Sequence, residues 1–190
     1  MNYDINIIEL GVNLMALKYD GTIYIISGTC GVGKSSTAYK LAEKYGLSAH
    51  INADNLYHMV VGGQVAPWKD DGTYIKLLWT NINSIVENFI INGFVPVIDY
   101  VVFPEDLCFI KKVKDKYMLK VKYIVLMADE TTISLRDDSR TLENKMGDRS
   151  VELLREFNEK GINEKYIINT TSKSIEETVL EIIKDDRFII

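Results

Sequence analysis

Apolar residues along this chain fall into two patterns, short continuous runs and longer stretches with helical spacing. The runs are rich in β-branched and aromatic residues, which is typical of strands buried on both faces. They predict strands at 22–27, 48–54, 94–99, 121–127 and 166–169. Between them, apolar residues recur every three or four positions, most clearly over 73–92, where Gly93 ends the amphipathic pattern. Further helices are predicted up to Tyr45 and over 55–60, 104–117, 131–136, 150–160 and 174–184.

The regular alternation of strands and helices predicts the overall architecture. Strands separated by helices form a parallel sheet with helices on both faces and right-handed connections. In such sheets ligands bind outside the carboxyl ends of the strands. We therefore expect functional side chains where strands end.

The segment between the first strand and its helix matches the phosphate-binding pattern G-x-x-x-x-G-K-[ST]. Its glycines allow the backbone to fold around an anion, and the helix that follows adds its positive N-terminal end. The lysine is expected to reach the β- and γ-phosphates, and the first serine to bind Mg²⁺. The expected nucleotide-binding residues are Gly28, Thr29, Cys30, Gly31, Val32, Gly33, Lys34, Ser35 and Ser36.

Charge and composition exclude several classes of function. A net charge of −5 argues against a broad nucleic-acid or anionic-membrane surface. No apolar run is long enough for a membrane span, and the N-terminus lacks a signal-peptide pattern. The two cysteines, Cys30 and Cys108, form no disulfide framework, and a disulfide at Cys30 would obstruct phosphate. We expect a cytoplasmic protein of one domain that is a monomer or a weak homodimer.

Two aspartates are candidates for chemistry because each comes at the end of a predicted strand. Asp99 has the position of an acid that holds Mg²⁺, often through water; the alternative is a turn aspartate. Asp54 is predicted at the end of the second strand, where a carboxylate can accept the proton of a substrate hydroxyl. The alternative for Asp54 is the N-cap of the helix that follows.

Three of the five arginines of the chain fall within 136–149, a mostly polar segment. Arg136 and Arg140 are four residues apart, which predicts that they share a helix face. Guanidinium groups suit phosphate oxygens, so this segment is a candidate lid whose arginines act in phosphoryl transfer. The alternative is a solvated charged helix, which Asp137 and Asp138 would support.

With these motifs in place, the chain from about residue 19 onward resembles the small P-loop kinases of the chloramphenicol phosphotransferase-like, shikimate kinase-like and gluconate kinase-like group. A bacterial subgroup of this group shares the stretches 58–63 (HMVVGG), 67–68 (PW), 99–100 (DY), 103–104 (FP) and 146–147 (MG) with Arg149. The resemblance implies a five-stranded parallel sheet in the order 2-3-1-4-5, a small helical lid, and dependence on ATP and Mg²⁺. It also implies that Asp54 lies at the acceptor. Arg136, Arg140 and Arg149 would correspond to lid arginines. The loop 169–172, with Asn169 and Thr170, would border the adenine.

The resulting prediction is a kinase domain over 21–190, with a substrate-side region at about 54–93 and a lid at about 136–149. Residues 1–20 form an extension to which we assign no function. The acceptor is a small hydroxyl-bearing molecule: a sugar acid, a nucleoside-like metabolite or an antibiotic. The stretch after the third strand differs from that of authentic gluconate kinases, which leaves the acceptor open. Two other functions remain open, a nucleotide-binding module that acts through a protein partner and a toxin-like kinase of a nucleotide sugar.

Overall fold

The computed structural model describes residues 21–141 and 145–190. The predicted N-terminal extension lies outside the described residues. The five strands are β1 (Thr22–Gly28), β2 (Ser48–Asn52), β3 (Val95–Asp99), β4 (Lys120–Met127) and β5 (Ile167–Asn169). The α-helices are α1 (Lys34–Ala42), α2 (Ala53–Tyr57), α3 (Thr73–Ile91), α4 (Cys108–Tyr117), α5 (Glu130–Asp138), α6 (Asp148–Glu159) and α7 (Ile175–Lys184).

The strands form one parallel sheet in the order β2-β3-β1-β4-β5, which confirms the predicted fold. In this register Ile26 of β1 pairs with Asp99 of β3, and Asp99 in turn pairs with Asn52 of β2. The carboxyl ends of these strands therefore meet at one edge, next to the loop that follows β1. This edge is where the sequence predicts a ligand site.

Two apolar cores lie on opposite faces of the sheet and give the fold its three layers. On one face, α3, α4 and α6 contribute buried residues such as Trp79, Ile110 and Phe157. On the other face, α1 and α7 contribute residues such as Leu41 and Ile182. A capping box begins α7, since Ser174 and Glu177 each accept a hydrogen bond from the other's backbone N–H group.

Pro96 lies within β3, an interior strand of the sheet. It is tolerated there because its nitrogen lies at a position that has no hydrogen bond to a neighbouring strand. Val95 donates its backbone N–H toward the β2 side, and Tyr100 donates its own toward β1. By this alternation the nitrogen of Pro96 faces β1, but the pairing with β1 begins only at Val97. No ladder hydrogen bond is lost, so the strand tolerates the ring.

The end of β2 differs from the prediction. The strand ends at Asn52, and its side chain accepts a hydrogen bond of 3.0 Å from the Asn55 N–H, so Asn52 is the N-cap of α2. Asp54 consequently lies in the first turn of α2 rather than at a strand end. Its alternative role as the N-cap is also wrong.

Both cysteines are free, as predicted from the sequence. Over the part of the chain that the structure describes, we find no helix with the length and apolar character of a membrane span.

Candidate active site

The loop between β1 and α1 is held in a conformation that only glycine permits at two positions. Gly28 has φ +133°, and a Cβ there would lie 2.1 Å from the carbonyl oxygen of Leu126 on β4. Gly31 has φ +81°, and a Cβ would lie 3.1 Å from the carbonyl oxygen of Ile133. Both neighbours are backbone atoms and cannot move aside easily. The loop is therefore packed closely against β4 and α5.

The N-terminus of α1 is open to an anion. Its N-cap residue, Gly33, has no side chain that could cap the first turn, and the first turn contains no acidic residue. Ser35 and Ser36 are exposed at this end. The ammonium group of Lys34 donates a hydrogen bond of 2.9 Å to the carbonyl oxygen of Thr29, within the same loop. Backbone N–H groups, two hydroxyls and one lysine thus surround a position suited to phosphate.

The carboxylate of Asp99 is almost fully buried at the end of β3, and only one of its oxygens has a hydrogen-bond donor. Oδ2 accepts a hydrogen bond of 3.2 Å from the side-chain amide of Asn52, whereas Oδ1 has no partner. The Nε2 atom of His50 lies 3.5 Å from Oδ2 but is not within hydrogen-bonding geometry. An unpaired buried carboxylate oxygen is destabilising, so it suits a site that a metal-bound water would complete.

Asp54 is accessible to solvent, but the surrounding protein crowds its carboxylate. Lost hydration raises its pKa, the ammonium of Lys34 opposes this shift, and the carboxylate of Asp99 adds to it. Lys34 and Asp99 therefore both lie within electrostatic reach of Asp54. The sequence predicted Asp54 at a strand end, whereas it lies in the first turn of α2.

A second group of predicted residues lies on the other side of the phosphate loop. The guanidinium of Arg136 donates hydrogen bonds of 3.0 Å to the carbonyl oxygen and 3.3 Å to the hydroxyl of Thr170. Thr170 follows β5 and is buried, and Asn169 accepts a hydrogen bond from the backbone N–H of Thr171. A cavity of about 180 Å³ adjoins them, lined by Val32, Gly33, Thr37, Arg136, Thr170, Lys173, Ile175 and Thr178.

The two ends of the predicted lid are joined by the buried carboxylate of Asp137, which the alternative of a solvated charged helix would place in solvent. Asp137 accepts hydrogen bonds from the backbone N–H groups of Met146, at 3.0 and 3.1 Å, and Gly147, at 2.8 Å. The guanidinium of Arg140 lies 3.5 Å from the same carboxylate. The pairing of Asp137 with two N–H groups nine and ten residues later has no local signal in the sequence.

Arg149 contacts residues of its own helix and an aromatic ring of the predicted substrate-side region. Its guanidinium bonds to Glu156 and Glu152 and lies over the indole ring of Trp68, 5.4 Å from the ring centre. Two motifs that seemed separate in the sequence, Pro67-Trp68 and Met146-Gly147 with Arg149, therefore meet in space. This contact joins the predicted substrate-side region to the helix after the lid.

Comparisons with known proteins agree with this architecture. No family model matches the chain, and no curated protein matches it by sequence. Among solved structures, the Mycobacterium tuberculosis APS kinase CysC in complex with AMPPNP and APS is 17% identical with a TM-score of 0.57, and the match covers 86% of this chain and 95% of that one. The tunicamycin resistance protein of Deinococcus radiodurans is 15% identical with a TM-score of 0.58, covering 85% and 93%.

A gluconokinase from Sinorhizobium meliloti 1021 is 20% identical with a TM-score of 0.56, covering 87% of this chain and 91% of that one. At these identities the likeness establishes the fold and no specific activity. The chain has the fold of the small P-loop kinases, as the sequence motifs indicate.

Proposed function

We propose that this protein is a phosphotransferase that moves the γ-phosphoryl group of ATP to a hydroxyl of a small molecule in the presence of Mg²⁺. The observation that supports the proposal is that Asp54 follows the Asn52 cap of α2, whose amide bonds to Asp99, and lies within electrostatic reach of Lys34. A nucleotide-binding loop alone would suit any nucleotide-binding protein. A solvent-accessible carboxylate opposite the loop lysine supplies what an alcohol acceptor needs in addition.

The phosphate loop is proposed to hold the triphosphate through the open N-terminus of α1. Lys34 would exchange its contact with Thr29 for the β- and γ-phosphates. Magnesium fits this site through the Ser35 hydroxyl and through water at Asp99, whose Oδ1 has no other partner. Among the described residues there is no cluster of three or more metal-ligating side chains, in keeping with a metal held largely by phosphate and water. When bound, Mg²⁺ supplies charge that stabilises the transferring phosphoryl group.

Asp54 is proposed to orient the acceptor hydroxyl and accept its proton. Its pKa is raised, which makes the carboxylate a stronger base than an ordinary aspartate once it is ionised. Its position in the first turn of α2 is fixed by the Asn52 cap beneath it. Asp54, the proposed base, is thus connected to Asp99, the proposed metal ligand, because the side-chain amide of Asn52 also donates a hydrogen bond to Asp99.

The two lid arginines, Arg136 and Arg140, are proposed to have different roles. Arg136 is held at Thr170, beside the cavity that leads from the phosphate loop toward β5. This side suits the base of the nucleotide. Arg140 lies four residues later, beside the Asp137 carboxylate that accepts hydrogen bonds from Met146 and Gly147. It is the better candidate to contact the transferring phosphoryl group.

The test is a screen for acceptor-stimulated ADP release with a library of sugar acids, nucleosides, nucleotide sugars and hydroxyl-bearing antibiotics. We expect at least one compound to stimulate release in the wild-type protein and not in Asp54→Asn. Stimulation by a protein extract fraction but by no small molecule would favour a module that acts through a partner. Stimulation by nucleotide sugars alone would favour the toxin-like kinase.

A further inference from the structure

One carboxylate at the end of α5 is buried, although it lies in a mostly polar segment. Asp137 is 4% exposed. Its Oδ2 atom accepts hydrogen bonds from the backbone N–H groups of Met146 at 3.0 Å and Gly147 at 2.8 Å, and its Oδ1 atom lies 3.1 Å from the Met146 nitrogen. These N–H groups come directly before α6, whose N-terminal end favours a negative charge. The carboxylate therefore fastens the last turn of α5 to the start of α6.

Arg140 is attached to the same residue at two points. Its backbone N–H donates a hydrogen bond of 3.0 Å to the carbonyl oxygen of Asp137, and its Nη1 atom lies 3.5 Å from Oδ1 of the carboxylate. In this pair the Asp137 side chain is 6% exposed and that of Arg140 is 35% exposed. Solvent and salt weaken a partly buried pair less than a pair on the surface. Asp137 therefore restrains both the backbone and the guanidinium of Arg140.

The face of α5 that carries Asp137 is packed against the loop between β1 and α1. Ile133, about one turn before Asp137, is fully buried, and its carbonyl oxygen would lie 3.1 Å from a Cβ on Gly31 of that loop. Arg136, the residue before Asp137, bonds to Thr170 on the same side of the site. The helix thus has a fixed position relative to the phosphate loop. Asp137 extends this fixed position to the arginine that follows the helix.

The neighbouring aspartate has the setting of an ordinary surface residue. The side chain of Asp138 is 77% exposed, and its carboxylate lies 3.3 Å from the ammonium group of Lys145. Surface pairs of this kind contribute little to stability. Burial of the Asp137 carboxylate is costly unless its charge is compensated, and the two N–H groups with the nearby guanidinium supply that compensation. The two adjacent aspartates therefore provide a test residue and a matched control.

We infer that Asp137 is a positioning residue for phosphoryl transfer, whose carboxylate holds the Arg140 guanidinium in the orientation in which it meets the transferring phosphoryl group. In this role Asp137 acts through Arg140 and does not itself touch the nucleotide or the acceptor. A cation that is held in place before the reaction needs little reorganisation as charge develops. The inference rests on the proposed phosphotransferase function and adds a residue to its machinery.

The test uses Mg·ADP with aluminium fluoride, which mimics the transferring phosphoryl group and requires no acceptor. Calorimetry gives the affinity for Mg·ADP with and without aluminium fluoride, and the ratio of the two is the gain from the phosphoryl mimic. The gain is measured in the wild type, in Asp137→Asn, in Arg140→Ala, in the double variant and in the control Asp138→Asn. Thermal unfolding of the same proteins reports their stability.

We expect a gain of at least about tenfold in the wild type and in Asp138→Asn. Asp137→Asn and Arg140→Ala should each lose most of the gain and keep their affinity for Mg·ADP alone. The double variant should lose no more than Arg140→Ala, because both changes remove the same interaction. Asp137→Asn should lower Tm whether or not Arg140 is present, since it also weakens the contacts to Met146 and Gly147. A purely structural role would lower Tm and leave the gain unchanged.

Hydrogen exchange in the wild type tests the same link without any substitution. By thermodynamic reciprocity, if the contacts of Asp137 favour binding of the phosphoryl mimic, the bound mimic must favour those contacts. Exchange of the Met146 and Gly147 amides should therefore slow by at least about threefold when aluminium fluoride is added to the Mg·ADP complex. Unchanged exchange would overturn the inference.

The outcomes keep this inference apart from the proposed function. If the wild type does not bind Mg·ADP, the proposed function fails, and the inference fails with it. If Mg·ADP binds and the gain is equal in the wild type and Asp137→Asn, only the positioning role is wrong. An absence of any gain in the wild type also overturns that role, because no group is then held in place for the transferring phosphoryl group.

Discussion

The guanidinium of Arg136 donates a hydrogen bond of 3.0 Å to the carbonyl oxygen of Thr170, which links α5 to the loop after β5. The hydroxyl of Thr170 in turn lies 3.3 Å from the carbonyl oxygen of Val32 in the phosphate loop. Through Thr170, Arg136 therefore connects the start of the predicted lid with the loop between β1 and α1. Arg140 has a different setting, beside the carboxylate of Asp137.

This difference predicts separate kinetic effects for the two arginines. Arg136→Ala should raise the KM for ATP more than it lowers kcat, because it removes a contact made in the ground state. Arg140→Ala should lower kcat by about tenfold or more, because its charge is needed most as the phosphoryl group transfers. Steady-state kinetics will show this, with the exposed Arg155→Ala on α6 as the control. If both variants keep kcat within about threefold of wild type, neither arginine acts on the transferring group.

Asp54→Asn should retain ATP affinity while acceptor phosphorylation falls, by about 10²- to 10⁴-fold for a general base. The amide keeps the shape of the side chain and cannot accept the proton. Calorimetry with Mg·ATP beside acceptor-dependent ADP release will separate the two effects. A fall of only a few-fold would mean that Asp54 orients the acceptor without taking its proton, which a loose transition state would tolerate.

The raised pKa of Asp54 also predicts the pH dependence of stability and activity. Because the folded state raises this pKa, the ionised carboxylate destabilises the fold at neutral pH, and this penalty disappears at pH values below the ordinary aspartate pKa of about 3.9. Asp54→Asn should therefore raise Tm at pH 7, with a smaller gain near about pH 3.5. The acid limb of kcat/KM in the wild type should lie above the ordinary aspartate range. An equal effect of the variant on Tm at both pH values would contradict this account.

Asp99→Asn should increase the Mg²⁺ concentration needed for half-maximal activity, by about tenfold or more. A neutral amide holds a hydrated metal less well, and the unpartnered Oδ1 is the atom that would bind the metal-bound water. Asp115→Asn, an exposed change on α4, is the matched control. A normal Mg²⁺ dependence in Asp99→Asn would remove Asp99 from the metal site.

Cys30 offers a chemical probe of the phosphate loop. Cys108→Ser leaves Cys30 as the single cysteine of the chain, since the sequence contains two. Mg·ATP should slow the alkylation of Cys30 by iodoacetamide in proportion to site occupancy, because the bound triphosphate covers the loop. Mass spectrometry after timed quenching gives the rate. Alkylation at the same rate with and without saturating nucleotide would place the nucleotide elsewhere.

The fold was predictable because its signals are local. Apolar runs predict the strands, and the glycine pattern between β1 and α1 predicts which edge of the sheet would bind phosphate. The end of β2 was misjudged because Asn52, rather than Asp54, accepts the capping hydrogen bond, and both residue types are good caps. The choice between them depends on the register with β3, where Asn52 also meets Asp99.

Contacts between distant segments could not be predicted in the same way. Asp137 is buried and accepts hydrogen bonds from Met146 and Gly147, unlike in the alternative of a solvated charged helix. Arg149, which the resemblance implies is a lid arginine, packs on Trp68, a residue far from it in the sequence. Such partners are set by tertiary packing, which residue spacing does not encode.

The most direct test of the central claim is the affinity for Mg·ATP, measured by calorimetry, in the wild type and in Lys34→Ala. The exposed Lys116→Ala, which loses a surface pair with Glu87, is the matched control. We predict measurable binding by the wild type, unchanged binding by Lys116→Ala, and a loss of affinity with near abolition of turnover in Lys34→Ala, because that variant lacks the charge that meets the β- and γ-phosphates. Near-normal affinity and turnover in Lys34→Ala would contradict the assignment of this loop as the phosphate site.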